Sequence, residues 1–246
     1  MRFLCKKIFN TIYKLIFPFN CVGCAVLLNK NTYFCAKCRQ ELYFIQKPYC
    51  SVLGLPLPKY ASSDAISFEA LMDPPPFKRA RSVFKHEGLA RKLIALLKYS
   101  DRLDLIYIFT DYLNIAGAEL INECDIIVPI PLHYRRFFFR HYNQAAELAK
   151  ILAKRKNKDY QPFILKKVKH TIPQTRLGKK DRLKNMKEVF ICNPDKAALV
   201  KNKNILLIDD VYTTGATIKA ACKALSKAKA KNIDVLTLSN SYRYRI

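Results

Sequence analysis

The clearest structural and chemical signal in the chain is the stretch Ile205-Leu-Leu-Ile-Asp209-Asp210-Val-Tyr-Thr213-Thr214-Gly215-Ala216-Thr217. Its apolar beginning predicts a buried strand over 204–208, and a lysine-studded helix is predicted over 217–229. The turn between them offers backbone N–H groups, threonine hydroxyls and a helix N-terminus, all of which favour a bound anion. Gly215 lets the backbone approach that anion closely. The stretch therefore predicts a phosphate-binding loop.

The two carboxylates before this loop need a different partner, because a phosphate would repel them. At the carboxyl end of a strand, Asp209 and Asp210 are suited to accept hydrogen bonds from the vicinal hydroxyls of a sugar. The arrangement thus predicts a site for a ribose 5-phosphate. The alternative is that the two aspartates only cap the following helix. The sequence contains neither a GxxxxGK[ST] nor a GxGxxG motif, so neither a P-loop nor a dinucleotide-binding fold is supported.

Helical and β-rich patterns alternate from about residue 81 onwards, which is typical of βαβ units and a largely parallel sheet. Further helices are predicted over 87–98, 104–121 and 143–155. Further strands are predicted over 125–130, 163–168 and 233–238. The basic stretch 169–188 has no such periodicity, and we expect it to form a mobile flap over the site.

Four of the nine cysteines form two CxxC pairs, Cys21/Cys24 and Cys35/Cys38, with ten residues between the pairs. Two such turns can present four thiolates to one tetrahedral zinc ion, so the spacing predicts a small structural zinc ribbon with four cysteine ligands. The alternative is a set of redox-active or merely buried thiols, but a strand–helix context of the thioredoxin kind is missing from the pattern. A site with four protein ligands stabilises folding and leaves no open position for chemistry.

The chain carries 44 lysines and arginines against 19 aspartates and glutamates, a net charge of +25. Residues 133–203 alone hold twenty basic and five acidic residues. A field of this sign attracts polyanions, so nucleic acid and phosphorylated ligands are the expected partners; a solvated basic surface is the alternative. The 50% hydrophobic content excludes wholesale disorder. With no apolar stretch long enough to span a membrane and no recognisable signal peptide, we expect a cytoplasmic protein.

Resemblance to known families starts at 205–217, which matches the fingerprint of the phosphoribosyltransferases across its whole length. In that family the loop binds the 5-phosphate of phosphoribosyl pyrophosphate (PRPP) and the acidic pair binds the ribose hydroxyls. The resemblance therefore implies an α/β, parallel-sheet phosphoribosyltransferase-like domain, with PRPP as ligand and Mg²⁺ as its companion ion. The residues that it implies for PRPP binding are Asp209, Asp210, Thr213, Thr214, Gly215, Ala216 and Thr217.

More narrowly, the chain resembles the ComF family of bacterial competence proteins, in which a zinc ribbon precedes such a domain. Three stretches extend this likeness: 93–99 with Lys98 near its end, 129–144, and 171–185. Where the family has a glycine before Tyr142 this chain has His141, and where the family often has another CxxCG only Cys50 and Gly54 remain. We therefore do not count Cys50 as a metal ligand. Candidates for neutralising a pyrophosphate or nucleic-acid phosphates are Arg135, Arg136, Arg140 and Arg182.

We expect four regions along the chain. Residues 1–20 form a basic amphipathic helix that packs on its own domain or binds a membrane or partner. Residues 21–45 form the zinc ribbon, 46–80 a proline-rich connector, and 81–246 the phosphoribosyltransferase-like domain. Phe137–Phe139, beside the arginines, is either buried or a stacking platform for unpaired bases.

Two functions are compatible with these features. The first, implied by the ComF resemblance, is a PRPP-binding protein that supports DNA uptake in natural transformation and binds single-stranded DNA. Its partners would include other proteins of the competence machinery. The second is a phosphoribosyltransferase that acts on an unidentified base or amine acceptor, for which the sequence assigns no catalytic residue. A PRPP-sensing transcription regulator ranks last, because no helix-turn-helix is recognisable.

Overall fold

The computed structural model describes residues 19–29, 32–100, 102–132, 142–168 and 189–241. Its centre is a five-stranded sheet with the strand order β1-β7-β6-β2-β3, in which every neighbouring pair is parallel. These strands are β1 (Arg79–Lys85), β2 (Ile126–Pro129), β3 (Asp159–Tyr160), β6 (Asn204–Tyr212) and β7 (Asn232–Asn240). A separate antiparallel pair consists of β4 (Leu165–Lys167) and β5 (Phe190–Cys192). The parallel α/β architecture expected from the sequence is confirmed.

Eight helices accompany the strands in the described residues. They are α1 (Ala36–Gln40), α2 (Phe68–Met72), α3 (Gly88–Tyr99), α4 (Asp104–Ala116), α5 (Ala118–Glu123), α6 (Gln144–Lys156), α7 (Ala197–Val200) and α8 (Ala216–Lys227). A 3-10 turn, Pro194–Lys196, leads into α7. Among these helices, none has the length and apolar character needed to cross a membrane.

Two apolar layers cover the sheet, and alternate residues of each central strand enter opposite layers. In β6, Leu206 and Ile208 join the layer formed by α3 to α6, whereas Ile205 and Leu207 join the layer that contains α8. Central strands buried on both faces are apolar at every position, as the 205–208 run is. The continuous apolar run at 205–208 therefore made β6 recognisable as a buried strand from the sequence.

The predicted helix over 104–121 is wrong in one respect, because it is two helices that meet at Gly117. A Cβ atom at this position would lie 2.4 Å from Cδ2 of Leu236 in β7. Only glycine lets the chain turn this close to the sheet. The break orients α5 so that Leu120 and Ile121 are fully buried.

The segment 46–80, predicted as a connector, contributes side chains to the core. Cys50, Leu53, Leu55 and Phe77 all belong to the apolar layer on the α8 side of the sheet. The segment is also tied to β1, since the backbone N–H of Ala80 donates to the carbonyl of Val52 at 2.6 Å. It is therefore part of the packed structure.

Candidate ribose-phosphate site and zinc ribbon

The ribose-phosphate candidate lies at the carboxyl edge of the sheet, where ligands of α/β proteins bind. Strand β6 is longer than predicted: it does not end at Ile208 but continues through both aspartates to Tyr212. The extension is held by β7, since Asp209 lies opposite Thr237 and Tyr212 opposite Asn240. The two carboxylates are therefore carried on a rigid central strand.

The predicted loop follows directly. Thr213, Thr214 and Gly215 connect β6 to α8, whose first residue is Ala216, so the predicted set from 209 to 217 is brought together at one edge. Gly215 has φ +73° and precedes the helix in a left-handed conformation. A Cβ atom there would lie 2.4 Å from the hydroxyl oxygen of the buried Tyr212. Both the backbone angle and the crowding require glycine.

The loop exposes the donors that an anion needs. Thr213, Thr214 and Thr217 are exposed to solvent. The first N–H groups of α8 have no partner within the helix, as is general for helix N-termini, and the N–H of Ala216 makes only a long contact of 3.4 Å to Oγ1 of Thr214. The twelve-residue helix adds the positive end of its dipole. This geometry can hold one phosphate group.

The acidic pair is partly buried and unequally neutralised. Asp210 forms a salt bridge with Lys98, with 3.0 Å between Oδ2 and Nζ, and the two side chains are only 15% and 19% exposed. Asp209 accepts the backbone N–H of Asp210 at 2.8 Å. Burial and the charge of Asp210 raise the pKa of Asp209 to about 7, while Lys98 and Lys167 oppose that rise.

His86 and Lys98 complete the polar surroundings of the pair. His86 follows β1, and its Nδ1 lies 2.8 Å from Oγ of the buried Ser239 in β7. Burial and the nearby positive charge of Lys98 lower the pKa of His86, while Asp210 opposes the shift. The lowered pKa favours the neutral imidazole. In the sequence, Lys98 had no role beyond its place in 93–99 and nothing pointed to His86, because no short motif joins positions so far apart in the chain.

The raised pKa of Asp209 predicts a stability effect with a definite sign. Between about pH 4 and pH 7 the folded protein keeps a proton on Asp209 that the unfolded chain has lost, so the free energy of unfolding falls as pH rises through this window. In Asp209→Asn the side chain cannot ionise, so the free energy of unfolding no longer falls over this pH range. The asparagine oxygen can still accept the N–H of Asp210. At pH 8 we expect the melting temperature of the variant to lie a few degrees above that of the natural protein. In a chain of this size, each kcal/mol in the free energy of unfolding shifts the melting temperature by about 2–4 °C. Thermal melts between pH 4.5 and 8 test this, and parallel curves would contradict it.

The four predicted zinc ligands form a second cluster. The sulfur atoms of Cys21, Cys24, Cys35 and Cys38 all lie within 4.8 Å of one another. The Sγ atoms of Cys24 and Cys35 are 3.7 Å apart. A tetrahedral ion with Zn–S bonds of about 2.3 Å requires sulfur separations of roughly 3.8 Å, so the cluster fits zinc. Backbone N–H groups support two of the sulfurs: Cys35 donates to Sγ of Cys21 at 3.3 Å, and Cys38 to Sγ of Cys35 at 3.4 Å.

The ribbon packs on the main domain. Phe34 and Tyr33 both contact the ring of Tyr112 in α4, with centroids 6.3 Å apart in each pair. Cys21, Phe34 and Cys38 belong to the same apolar layer as α3 and α4. A metal in this cluster would therefore order a surface that continues into the domain core.

Several predicted features lie outside the described residues. These are the candidate arginines Arg135, Arg136, Arg140 and Arg182, the triplet Phe137–Phe139, the flap 169–188, and residues 1–18 of the expected N-terminal helix. Of the neighbouring segment, Asn143 is described. It caps α6 by accepting the N–H of Ala145 at 3.1 Å, and its Nδ2 donates to the carbonyl of Ile130 at 3.1 Å. Asn143 therefore ties the start of α6 to the residue that follows β2.

Comparison with protein-family models matches residues 12–67 to a double zinc ribbon domain and residues 143–244 to a phosphoribosyl transferase domain. Fold and sites together define a protein with a phosphoribosyltransferase-like α/β domain preceded by a zinc ribbon. The ribbon match and the cysteine cluster support a structural zinc ion.

Relatives place the chain more narrowly. It is 29% identical to competence protein F of Haemophilus influenzae over 92% of this chain and 98% of that protein. It is 28% identical to competence protein ComFC of Bacillus subtilis over 87% of both chains, and 25% identical to the DNA utilization protein YhgH of Escherichia coli K12 over 78% of this chain and 84% of that one. The chain is thus a homologue of the competence proteins F and ComFC, as its sequence motifs predicted.

Among solved structures, a hypoxanthine phosphoribosyltransferase from Staphylococcus aureus is similar at 16% identity, with a TM-score of 0.37. The match covers 57% of this chain and 69% of that one.

Proposed function

We propose that the carboxyl edge of the sheet binds PRPP, and that this site serves a protein acting in DNA uptake or utilisation. The supporting observation is the arrangement of Asp209 and Asp210 on rigid β6 immediately before the exposed loop 213–217. The loop would hold the 5-phosphate and the aspartates the 2- and 3-hydroxyls of the ribose. Mg²⁺, which prefers oxygen ligands and substrate phosphates, would accompany the pyrophosphate group.

Charge supports the same ligand. PRPP is a polyanion, and the acidic pair would repel it if both carboxylates were unpaired. Lys98 neutralises the charge of Asp210 through their salt bridge. The raised pKa of Asp209 lowers the average negative charge on that second carboxylate. The site can therefore present carboxylate oxygens to hydroxyl groups without excluding the phosphates nearby.

Calorimetric titration of the zinc-loaded protein with PRPP and Mg²⁺ tests the proposal. We expect micromolar binding of PRPP, weaker but measurable binding of ribose 5-phosphate, and at least tenfold weaker binding of 2-deoxyribose 5-phosphate. The last ligand lacks one of the two hydroxyls that the aspartates would accept. Equal affinities for the two sugar phosphates would refute recognition through the acidic pair.

A catalytic phosphoribosyltransferase is the second candidate function, and a cavity beside the loop favours it. The cavity has a volume of about 470 Å³, within the range typical of small-molecule sites. Its walls come from the segment before α2, from α2 itself, and from the end of β6, the loop and α8; they include Leu53, Phe68, Met72, Tyr212, Thr214 and Lys219. Such a space can admit a base or amine acceptor. Release of pyrophosphate from PRPP upon addition of an acceptor would support this function, and absence of release across purines, pyrimidines and amines would exclude it for those classes.

The homology to competence and DNA utilisation proteins, together with the net charge of +25, leads us to propose single-stranded DNA as the second partner. The positive field would bring a polyphosphate chain to the surface, and binding would weaken steeply with salt. Other proteins of the competence machinery would act with it in a cytoplasmic location. Salt-independent binding would contradict an electrostatic mode.

A further inference from the structure

The helix that follows the phosphate loop carries a row of lysines on its outer side. Lys219, Lys223 and Lys227 of α8 are spaced four residues apart, so they share one face with a rise of about 6 Å between neighbours. Lys223 and Lys227 are exposed and Lys219 is partly exposed. The row begins one turn beyond Gly215 and runs along the helix away from the loop.

The same positive surface continues beyond the end of α8. Two backbone hydrogen bonds hold the segment after the helix beside the turn before β6: Asn202 N–H donates to the carbonyl of Lys229 and Lys231 N–H to that of Lys203, each at 2.9 Å. The exposed lysines of both segments are therefore neighbours. We call the whole set the lysine row; its members are Lys201, Lys203, Lys219, Lys223, Lys227, Lys229 and Lys231.

Acidic side chains are scarce along this surface. Between residues 196 and 231 the only acidic residues are Asp209 and Asp210, which lie on β6 at the carboxyl edge of the sheet. Lys219 pairs with Asp73. Within the described residues, no salt bridge involves Lys201, Lys203, Lys223, Lys229 or Lys231. Like charges four residues apart destabilise a helix, so a bound polyanion would relieve this repulsion.

We propose that the lysine row is a docking surface for single-stranded DNA, with the phosphodiester backbone lying along α8. This inference rests on the proposed DNA-handling function and assigns it to a particular face. Along α8 the ammonium groups of Lys219, Lys223 and Lys227 form a single file, which matches the phosphates of one strand. A duplex presents two backbones separated by a groove, which a single file would contact on one side only.

An anionic membrane fits this surface less well. Helices that lie in a membrane interface insert an apolar face opposite their basic one. The apolar face of α8 is already used, because Ile218, Ala221, Cys222 and Leu225 are buried against the sheet. The helix therefore has phosphate-binding groups but no free apolar face to insert.

The test compares two double variants on opposite faces of the sheet. Lys223→Gln/Lys227→Gln neutralises the row, and Lys150→Gln/Lys154→Gln neutralises two exposed lysines at the same spacing on α6, which packs against the other face. Binding of a fluorescently labelled oligothymidylate of about thirty nucleotides is measured by anisotropy across a salt series. We expect at least tenfold weaker binding for the α8 variant at 100 mM salt, a salt slope smaller by about 0.7 for each lost phosphate contact, and less than threefold weakening for the α6 variant.

Equal weakening by the two variants would overturn the proposal, because binding would then follow net charge alone. The proposal would also be overturned if a duplex of the same length, or phosphatidylserine-containing vesicles, bound more tightly than the single strand and lost this binding in the α8 variant. Calorimetry with PRPP separates this result from the proposed ribose-phosphate site. The α8 variant is expected to keep PRPP affinity, and a variant of the acidic pair to keep DNA affinity. Thermal melts confirm that each variant is folded.

Discussion

Replacing Asp209 and Asp210 together by asparagine will lower the affinity for PRPP at least tenfold. A hydrogen bond to a charged acceptor contributes about 1.5–3 kcal/mol and one to a neutral acceptor about 0.5–1.5 kcal/mol, so exchanging two carboxylates for amides costs roughly 2–3 kcal/mol. Each 1.4 kcal/mol corresponds to a factor of about ten in affinity. The side chains keep their size, and an asparagine at position 209 would still accept the backbone N–H that Asp209 accepts now. Calorimetric titration with PRPP and Mg²⁺ measures the effect.

The direction of this result is informative because simple electrostatics predicts the opposite. Removing two negative charges favours every anion, so the variant should bind inorganic phosphate or pyrophosphate as well as, or better than, the natural protein. A loss confined to ligands that carry a ribose therefore identifies the hydroxyl groups as the partners of the acidic pair.

A control with the same change of charge is available on the surface. Asp159 and Asp195 are both exposed, and neither is part of the β6 edge. Asp159→Asn/Asp195→Asn should leave PRPP affinity within twofold. If the two double variants behave alike, or if the variant of the acidic pair binds PRPP normally, the aspartates serve only the fold and the helix-capping alternative is favoured.

The ribose-phosphate candidate was largely predictable from sequence because its residues are contiguous. A buried strand, two acids, a threonine–glycine turn and a helix appear in chain order, and local periodicity is enough to recognise them. What the sequence did not reveal was the continuation of β6 to Tyr212. That extension depends on pairing with the carboxyl half of β7, a contact between residues about 28 positions apart.

The surroundings of the acidic pair illustrate a different limit. Lys98 reaches Asp210 from the end of α3, and His86 reaches Ser239 from the end of β1. No periodicity in the sequence encodes which distant side chains meet at one edge of a sheet.

Strand β1 itself was missed because Arg79, Arg81 and Lys85 interrupt its apolar pattern. The structure explains the buried Arg81: its Nε donates to Glu119 at 2.7 Å and its guanidinium lies over the ring of Tyr49. A charged side chain can occupy a buried strand position when a carboxylate and an aromatic ring receive it, and both partners lie far away in the sequence.

The packing of segment 46–80 was not apparent from the sequence for a related reason. Its prolines and lack of periodicity are typical of a linker, yet Leu55 and Phe77 are buried. Irregular segments can fill a core when each apolar side chain is placed individually and the backbone hydrogen bonds are satisfied locally. Here the N–H of Cys50 donates to Leu55 and that of Leu57 to Pro48. Only the three-dimensional packing reveals such an arrangement.

The zinc ribbon leads to the second large effect. Removal of the metal, or Cys21→Ser/Cys38→Ser, is expected to unfold the ribbon and to lower the melting temperature of the whole chain by more than about 10 °C. Binding of structural zinc to small ribbons contributes about 10–16 kcal/mol at neutral pH, which far exceeds what short helix α1 and two CxxC turns can supply. Because Cys21 and Cys38 are buried in the same apolar layer as α3 and α4, loss of the ribbon also exposes part of that layer. Calorimetric melts with and without chelator measure the change.

The metal content should be one zinc ion per chain, although the family model describes a double ribbon. In the described residues the structure contains a single group of potential ligands, Cys21, Cys24, Cys35 and Cys38. Cys50, where the second ribbon would lie, is fully buried, and its sulfur accepts N–H groups from Leu53 at 3.3 Å and Ser67 at 3.2 Å. The Cys50 sulfur thus accepts hydrogen bonds from the backbone, and among the described residues no other potential metal ligands are grouped with it.

Cys50→Ala supplies the control for that expectation. It removes a buried sulfur without touching the four-cysteine cluster, so elemental analysis should still find one zinc ion per chain while the melting temperature falls only by the few degrees typical of a small core truncation. Cys21→Ser/Cys38→Ser should instead lose the metal entirely. Two zinc ions in the natural protein, with one lost in Cys50→Ala, would contradict the single-site interpretation. Full zinc retention in the double serine variant would contradict the assignment of the ligands. The two variants together therefore separate the cysteines that hold the metal from the one that has become part of the core.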